Sequence, residues 1–183
     1  MNAKEHGAIA AHIDLAVENA AETLLEVSHA IHGKPELAFE EHFACALLSE
    51  TLRDHDLNVE TGVYSLETAF ETTINSERDG PTVAVLAEYD ALPQIGHACG
   101  HNIIATTALG ATIALNAVAQ SLPGRVKLLG TPAEERGGGK ELMARAGAFE
   151  GIDAALMIHP AGVNLATMPS ICVAEVEVVY HGK

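Results

Sequence analysis

The segment TVAVLAEY, residues 82–89, is apolar almost from end to end. A strand with one wet face alternates polar and apolar side chains. A continuous apolar run belongs instead to a strand covered on both faces, as in parallel or mixed sheets. The segments after it repeat the theme. An Ala-rich helical segment runs over about 103–119, and GRVKLLGT (124–131) reads as the next strand. GGGKELMARAGAF (137–149) reads as a helix and AALMIH (154–159) as another strand. Strand, helix, strand, helix, strand is the pattern of a sheet with helices packed on it. The expected fold is α/β: a mixed, largely parallel sheet flanked by helices.

Upstream, Ile13, Val17, Leu24, Val27 and Ile31 recur at helical spacing, and Gly33 and Pro35 end that pattern. A second helical pattern covers about 37–55, with Phe39, Phe43, Leu47, Leu48 and Leu52 apolar. LNVET (57–61) reads as a short strand and ETAFETTIN (67–75) as a half-buried one, with SERDGP as a turn. VAEVEVVYHGK (173–183) alternates like a final strand. The chain shows no internal repeats or low-complexity tracts.

At 183 residues and 48% hydrophobic, one domain with a real core is expected. Trp is absent and aromatics are 4%, so that core must be aliphatic and Ala-rich. The formal net charge of −15 opposes binding to phosphate backbones, which depends on Lys and Arg, and to anionic membrane surfaces. Neither nucleic acid nor membrane is an expected partner; a small molecule or a protein is. Three cysteines, Cys45, Cys99 and Cys172, do not make a disulfide framework. No basic, then apolar, leader is visible at the N-terminus. A reducing cytoplasm is the expected location.

In open α/β sheets, ligands bind at the carboxyl ends of the strands. Asp90 and HACGH (97–101) follow the first apolar strand, Glu134 and Glu135 follow the second, and His159 ends the third. Three neighbouring strand ends would point Cys, His and Glu into one crevice. Cys99 and His101, two apart, can face one ion, since thiolate, imidazole and carboxylate are all Zn²⁺ ligands. They can equally be a small buried residue in a Gly turn and a residue at a helix start. His97 can serve behind a ligand histidine or simply be solvated. Of two adjacent carboxylates, one can bind metal while the other acts as general base; both can also be a solvated pair. Asp90 can fix the tautomer of a ligand histidine or cap a turn. A thiolate nucleophile formed by Cys99 with His97 or His101 is a further reading, but it leaves the Glu pair and His159 without a role. GGGK (137–140) is not a phosphate loop, because Glu141 stands where that loop needs Ser or Thr. No nucleotide is expected.

EYDALPQIGHACGHN, GTPAEERGGGK and ALMIHP, in this order and at these separations, resemble the aminoacylase-type metallopeptidases and amidohydrolases. The CGHN ending is similar to the aminobenzoyl-glutamate hydrolase and dipeptidase-like branch, and HGKPELAFEE resembles the family's N-terminal H-x-x-PE segment. The resemblance spans nearly the whole chain. It implies two divalent ions, Zn²⁺ or Mn²⁺, bridged by Cys99. His101 and His159 would complete one ion's protein ligands and Glu135 would bind the other. Glu134 would be the general base that deprotonates the bridging water, and Asp90 would support a ligand from behind. The implied reaction is hydrolysis of an amide in an N-acyl amino acid, a dipeptide or an aminobenzoyl-glutamate-like substrate. Family members run to about twice this length. Residues 1–183 would be the N-terminal portion of the catalytic domain, with 172–183 at the start of an inserted lid or dimerisation domain. A further metal-ligand His and the groups that grip the substrate carboxylate would lie beyond it. Homodimers would form through that insert. The alternative expectation is a catalytically silent metal-binding or interaction fragment of such an enzyme.

Overall fold

The fold is that of a computed structural model, which describes residues 3–76, 78–166, 176 and 178–182. Helix α1 spans Ala3–Gly33 and α2 spans His42–Asp54. Strands β1 (Val59–Thr61) and β2 (Phe70–Asn75) come next. Then come β3 (Thr82–Ala87), α3 (His101–Ala117), β4 (Arg125–Gly130), α4 (Gly139–Arg145) and β5 (Ala154–Leu156). The strands form one sheet in the order β1-β2-β4-β3-β5. β3 pairs in parallel with β4 and with β5, whereas β2 runs antiparallel to β1 and β4. The parallel half carries the candidate site.

The apolar run of β3 is covered on both faces, as its composition requires. Val85 and Ala87 pack with α1, α2 and α3 around Ile31, Leu48, Leu52, Ala105 and Leu109. Ala84 and Leu86 point the other way, against Met143 of α4 and Ala148. β4 divides likewise, with Leu128 on the first face and Leu129 on the second. Each fully buried aliphatic side chain contributes about 1.5–3 kcal/mol. The core is Ala-rich as expected, with one aromatic pair. Tyr89 stacks on Phe70 at 5.8 Å between ring centroids and donates its hydroxyl to the Thr68 carbonyl at 2.6 Å.

Several element boundaries depart from the sequence pattern. α2 starts at His42, not near Leu37. Residues 37–41 form a turn in which Phe39 takes φ 66°, and the Glu36 carboxylate accepts the N–H groups of Phe43 and Ala44, both at 3.0 Å. Those are free donors of the new helix, so the acid acts as its cap. β5 pairs over three residues only, lies at the sheet edge, and leaves Leu156 exposed. Of the strand expected over 173–183, residues 173–175, 177 and 183 lie outside the described residues, as does Cys172, and the described remainder, Val176 and 178–182, belongs to no strand. Among the described residues, no helix is long and apolar enough to cross a membrane.

Candidate metal centre

The carboxyl end of β3 runs straight into the site. Glu88 and Asp90 lie on the same side of the chain, two residues apart, and each is only 1% exposed. The following loop is pinched shut by paired backbone hydrogen bonds between Leu92 and Gly96, at 3.0 and 3.1 Å, which return the chain toward the strand end. Gly100 then turns the backbone with φ 81° into α3. A side chain there would be strained, and its Cβ would lie 2.9 Å from Pro160 Cγ. This close approach sets the CGH turn against the segment carrying His159.

His101 therefore opens α3 and does not sit on an extended loop. Its ring is buried and held through Nδ1. Nδ1 meets Asp90 Oδ1 at 3.0 Å, and the other Asp90 oxygen accepts the Glu135 N–H at 2.9 Å. Asp90 thus ties the ends of β3, β4 and α3 into one cluster. Fixing Nδ1 leaves Nε2 facing the crevice. There it sees Glu88 Oε2 at 3.5 Å, Glu135 Oε1 at 3.6 Å and Glu134 Oε2 at 3.8 Å. The His159 ring stands edge-on to His101, 6.0 Å away between centroids. His159 is exposed and its Nδ1 is 2.8 Å from the Pro160 carbonyl.

Among the described residues, two groups of three each bring one donor atom per residue within 4.8 Å of one another. They are Cys99 with His101 and Glu135, and Glu88 with His101 and His159. Donors on a tetrahedral ion with bonds of about 2.0–2.3 Å lie about 3.3–3.8 Å apart. The spacings around His101 Nε2 are of that size. Glu88 Oε2, His101 Nε2 and Glu135 Oε1 are all buried without a hydrogen-bond partner. Buried polar atoms are seldom left so. Two carboxylate oxygens and an imidazole nitrogen turned toward each other, each lacking a partner, fit a divalent cation.

The electrostatics point the same way. Burial works to lower the His101 pKa, but the hydrogen bond and charge of Asp90, with Glu88 and Glu135, outweigh it and raise the pKa. Burial likewise opposes ionisation of Asp90, and the His101 and Glu135 contacts prevail to hold it low. Burial, then the charge of Glu88, raises Glu134. The Glu135 carboxylate, then burial, pushes the Cys99 thiol up to about 11. A thiol so placed stays protonated near neutral pH, which disfavours it as a free nucleophile. A bound cation would reverse that balance, since a coordinating thiol ionises outright.

The structure thus gathers Asp90, Cys99, His101, Glu134, Glu135 and His159 at three adjacent strand ends, in keeping with their order in the sequence. His97 is in neither donor group. It is buried, with its ring 6.4 Å from that of His32, and burial together with the nearby His101 lowers its pKa. Asn102 binds Ser28 Oγ at 3.0 Å, joining α3 to α1. Three residues of the cluster are not apparent from the sequence pattern. Glu88 reads there as the end of an apolar strand. Lys140, which bonds Glu88 Oε1, reads only as part of a Gly-rich helix start. Glu41, fully buried, accepts the Ala133 N–H at 2.8 Å and so anchors the residue just before Glu134.

A mixed α/β sheet of this topology, with a Cys, His and carboxylate cluster at its parallel strand ends, is the zinc-peptidase-like class of fold. The chain belongs to peptidase family M20/M25/M40, whose pattern matches residues 84–183. It is 44% identical over 179 residues to the Xaa-Arg dipeptidase of Mus musculus, a match covering 91% of this chain and 42% of that protein. It is 32% identical over 167 residues to a component of the p-aminobenzoyl-glutamate hydrolase of Escherichia coli (strain K12), covering 81% of this chain and 34% of that one. The crystal structure of the Bacillus subtilis YXEP protein, a dinuclear metal binding peptidase from the M20 family, superposes with a TM-score of 0.70 at 26% identity. That match covers 75% of this chain and 42% of YXEP. The chain thus spans less than half the length of these relatives.

Proposed function

We propose that the complete polypeptide hydrolyses an amide bond in a small substrate, using two divalent ions, Zn²⁺ or Mn²⁺, and Glu134 as general base. The observation that carries this reading is the set of buried, partnerless donor atoms around His101 Nε2. Cys99 would be shared by the ions, His101 and His159 would hold one, and Glu135 the other. When bound, such ions acidify a water and polarise the substrate carbonyl. Asp90 holds His101 by Nδ1 and keeps Nε2 available as a donor. Glu134, beside the donors and 40% exposed at its side chain, takes the proton of the attacking water and returns it to the leaving amine. A mostly apolar cavity of about 310 Å³, bordered by Leu37, Phe39, Ala91, Pro93 and Glu135, offers room for one side of a small substrate. The relatives named as a dipeptidase and an aminobenzoyl-glutamate hydrolase support a dipeptide, an N-acyl amino acid or an aminobenzoyl-glutamate-like amide.

The test is turnover of a panel of dipeptides and N-acyl amino acids by the complete polypeptide. Activity is expected to vanish on chelation and to return with Zn²⁺ or Mn²⁺. Turnover that survives chelation but dies on thiol alkylation would overturn the metal reading and favour Cys99 as nucleophile. The 183-residue chain assayed beside it is expected to be silent, because the groups that grip the substrate would lie elsewhere in the protein.

A further inference from the structure

Glu88 is the least expected residue of the cluster. An acid at the end of an apolar strand, 1% exposed, carries a large desolvation cost unless something holds it. Only half of it is held. Lys140 Nζ bonds Oε1, while Oε2 has no hydrogen-bond partner and looks across 3.5 Å to His101 Nε2, itself without one. An ion pair with Lys140 explains one oxygen and leaves the other turned toward the crevice. His159 supplies the third donor of this group. The Lys140 side chain is 30% exposed and comes from the first turn of α4, so it reaches the strand end from the opposite layer to α3.

We propose that Glu88 is a further ligand, through Oε2, of the ion held by His101 and His159, and that Lys140 positions it by retaining Oε1. The inference rests on the metal reading above and adds a carboxylate to the ligands assigned there. It also gives the GGGK turn a role. Gly138, at φ 64°, starts α4 so that the next residues carry Lys140 to the strand end. With Lys140 holding one oxygen, Glu88 can offer only the other, a single-oxygen ligand aimed along a fixed direction.

Co²⁺ tests this on the 183-residue chain without reference to turnover. The metal-free protein is titrated with Co²⁺ while its thiolate charge-transfer and d–d bands are recorded. Wild type is expected to bind with a thiolate band that Cys99→Ser abolishes. Glu88→Gln is expected to keep the thiolate band, shift the d–d bands, and bind at least about tenfold more weakly, since even outer partners of a ligand cost about 10–100-fold. Glu88→Asp, one methylene shorter but still charged, is expected to weaken binding similarly, and it stands in if the Gln variant misfolds. Lys140→Met is expected to bind Co²⁺ with shifted d–d bands, because the carboxylate is then free to turn. A folded Glu88→Gln protein with wild-type affinity and bands would overturn the role of Glu88 alone. Unchanged bands in Lys140→Met would overturn its positioning role. A wild-type chain with no Co²⁺, or with no thiolate band, would overturn the metal reading and the Glu88 assignment with it.

Discussion

Glu134→Gln in the complete enzyme is expected to lower kcat by about 10²–10⁴-fold, the range typical of a positioned acid–base group, with metal content unchanged. The amide is nearly the same size as the carboxylate but cannot take a proton. Glu134 is suited to the base's role by what it lacks as well as by where it lies. It belongs to neither donor group, yet its Oε2 is 3.8 Å from His101 Nε2, at the edge of the donors. Burial and the charge of Glu88 raise its pKa, which makes it a stronger proton acceptor. Its backbone is fixed on both sides, by Glu41 at Ala133 and by Asp90 at Glu135. The check is steady-state kinetics with metal per chain measured on the same samples. Normal turnover would remove Glu134 from the mechanism, and loss of metal would make it a ligand.

Glu41→Ala is expected to cost roughly 3–9 kcal/mol of stability, because each donor stranded by the truncation costs about 1–3 kcal/mol. The Glu41 carboxylate accepts three: the Phe39 N–H at 3.0 Å, the Ala133 N–H at 2.8 Å and the Thr68 hydroxyl at 2.8 Å. Phe39 and Ala133 both hold positive φ without being glycine, so losing the carboxylate also frees two backbone conformations that resist their own side chains. A typical domain is stable by only about 5–15 kcal/mol. The variant should therefore unfold at much lower denaturant, and a loss below about 1 kcal/mol would contradict the role of this carboxylate. The contribution of Glu41 also varies with pH. Burial raises its folded-state pKa, so the folded chain binds more protons than the unfolded one in that window. The contribution of Glu41 to stability falls as pH rises from the ordinary carboxylate range through its folded value. Glu41→Gln should flatten that dependence.

The elements that are plain in the sequence are those whose signal is local. α1 declares itself by spacing and by Gly33 and Pro35, and β3 by its apolar run. The positions of Cys99, His101, Glu134 and Glu135 follow from one rule, that strand ends hold the chemistry. The features that are not plain depend on distant partners. The 37–41 turn carries helical spacing at Leu37 and Phe39, yet Glu36 caps the helix later and Glu41 binds across to Thr68 and Ala133. Glu88 pairs with Lys140, 52 positions away, so neither neighbourhood announces the pair. A signal is present nonetheless. An acid inside an apolar strand is a buried charge, and a buried charge needs a partner. β5 is shorter than AALMIH suggests, since it pairs with β3 only over Ala154–Leu156.

The central claim is that Cys99, His101, Glu135 and His159 hold metal. Metal per chain, measured by mass spectrometry after reconstitution with Zn²⁺ or Mn²⁺ and removal of the excess, tests it most directly on wild type and Cys99→Ser. Wild type should retain at least about one ion per chain and the variant close to none, because removing the shared thiolate takes a donor from both ions. Equal metal in the two proteins, or none in wild type, would contradict the claim.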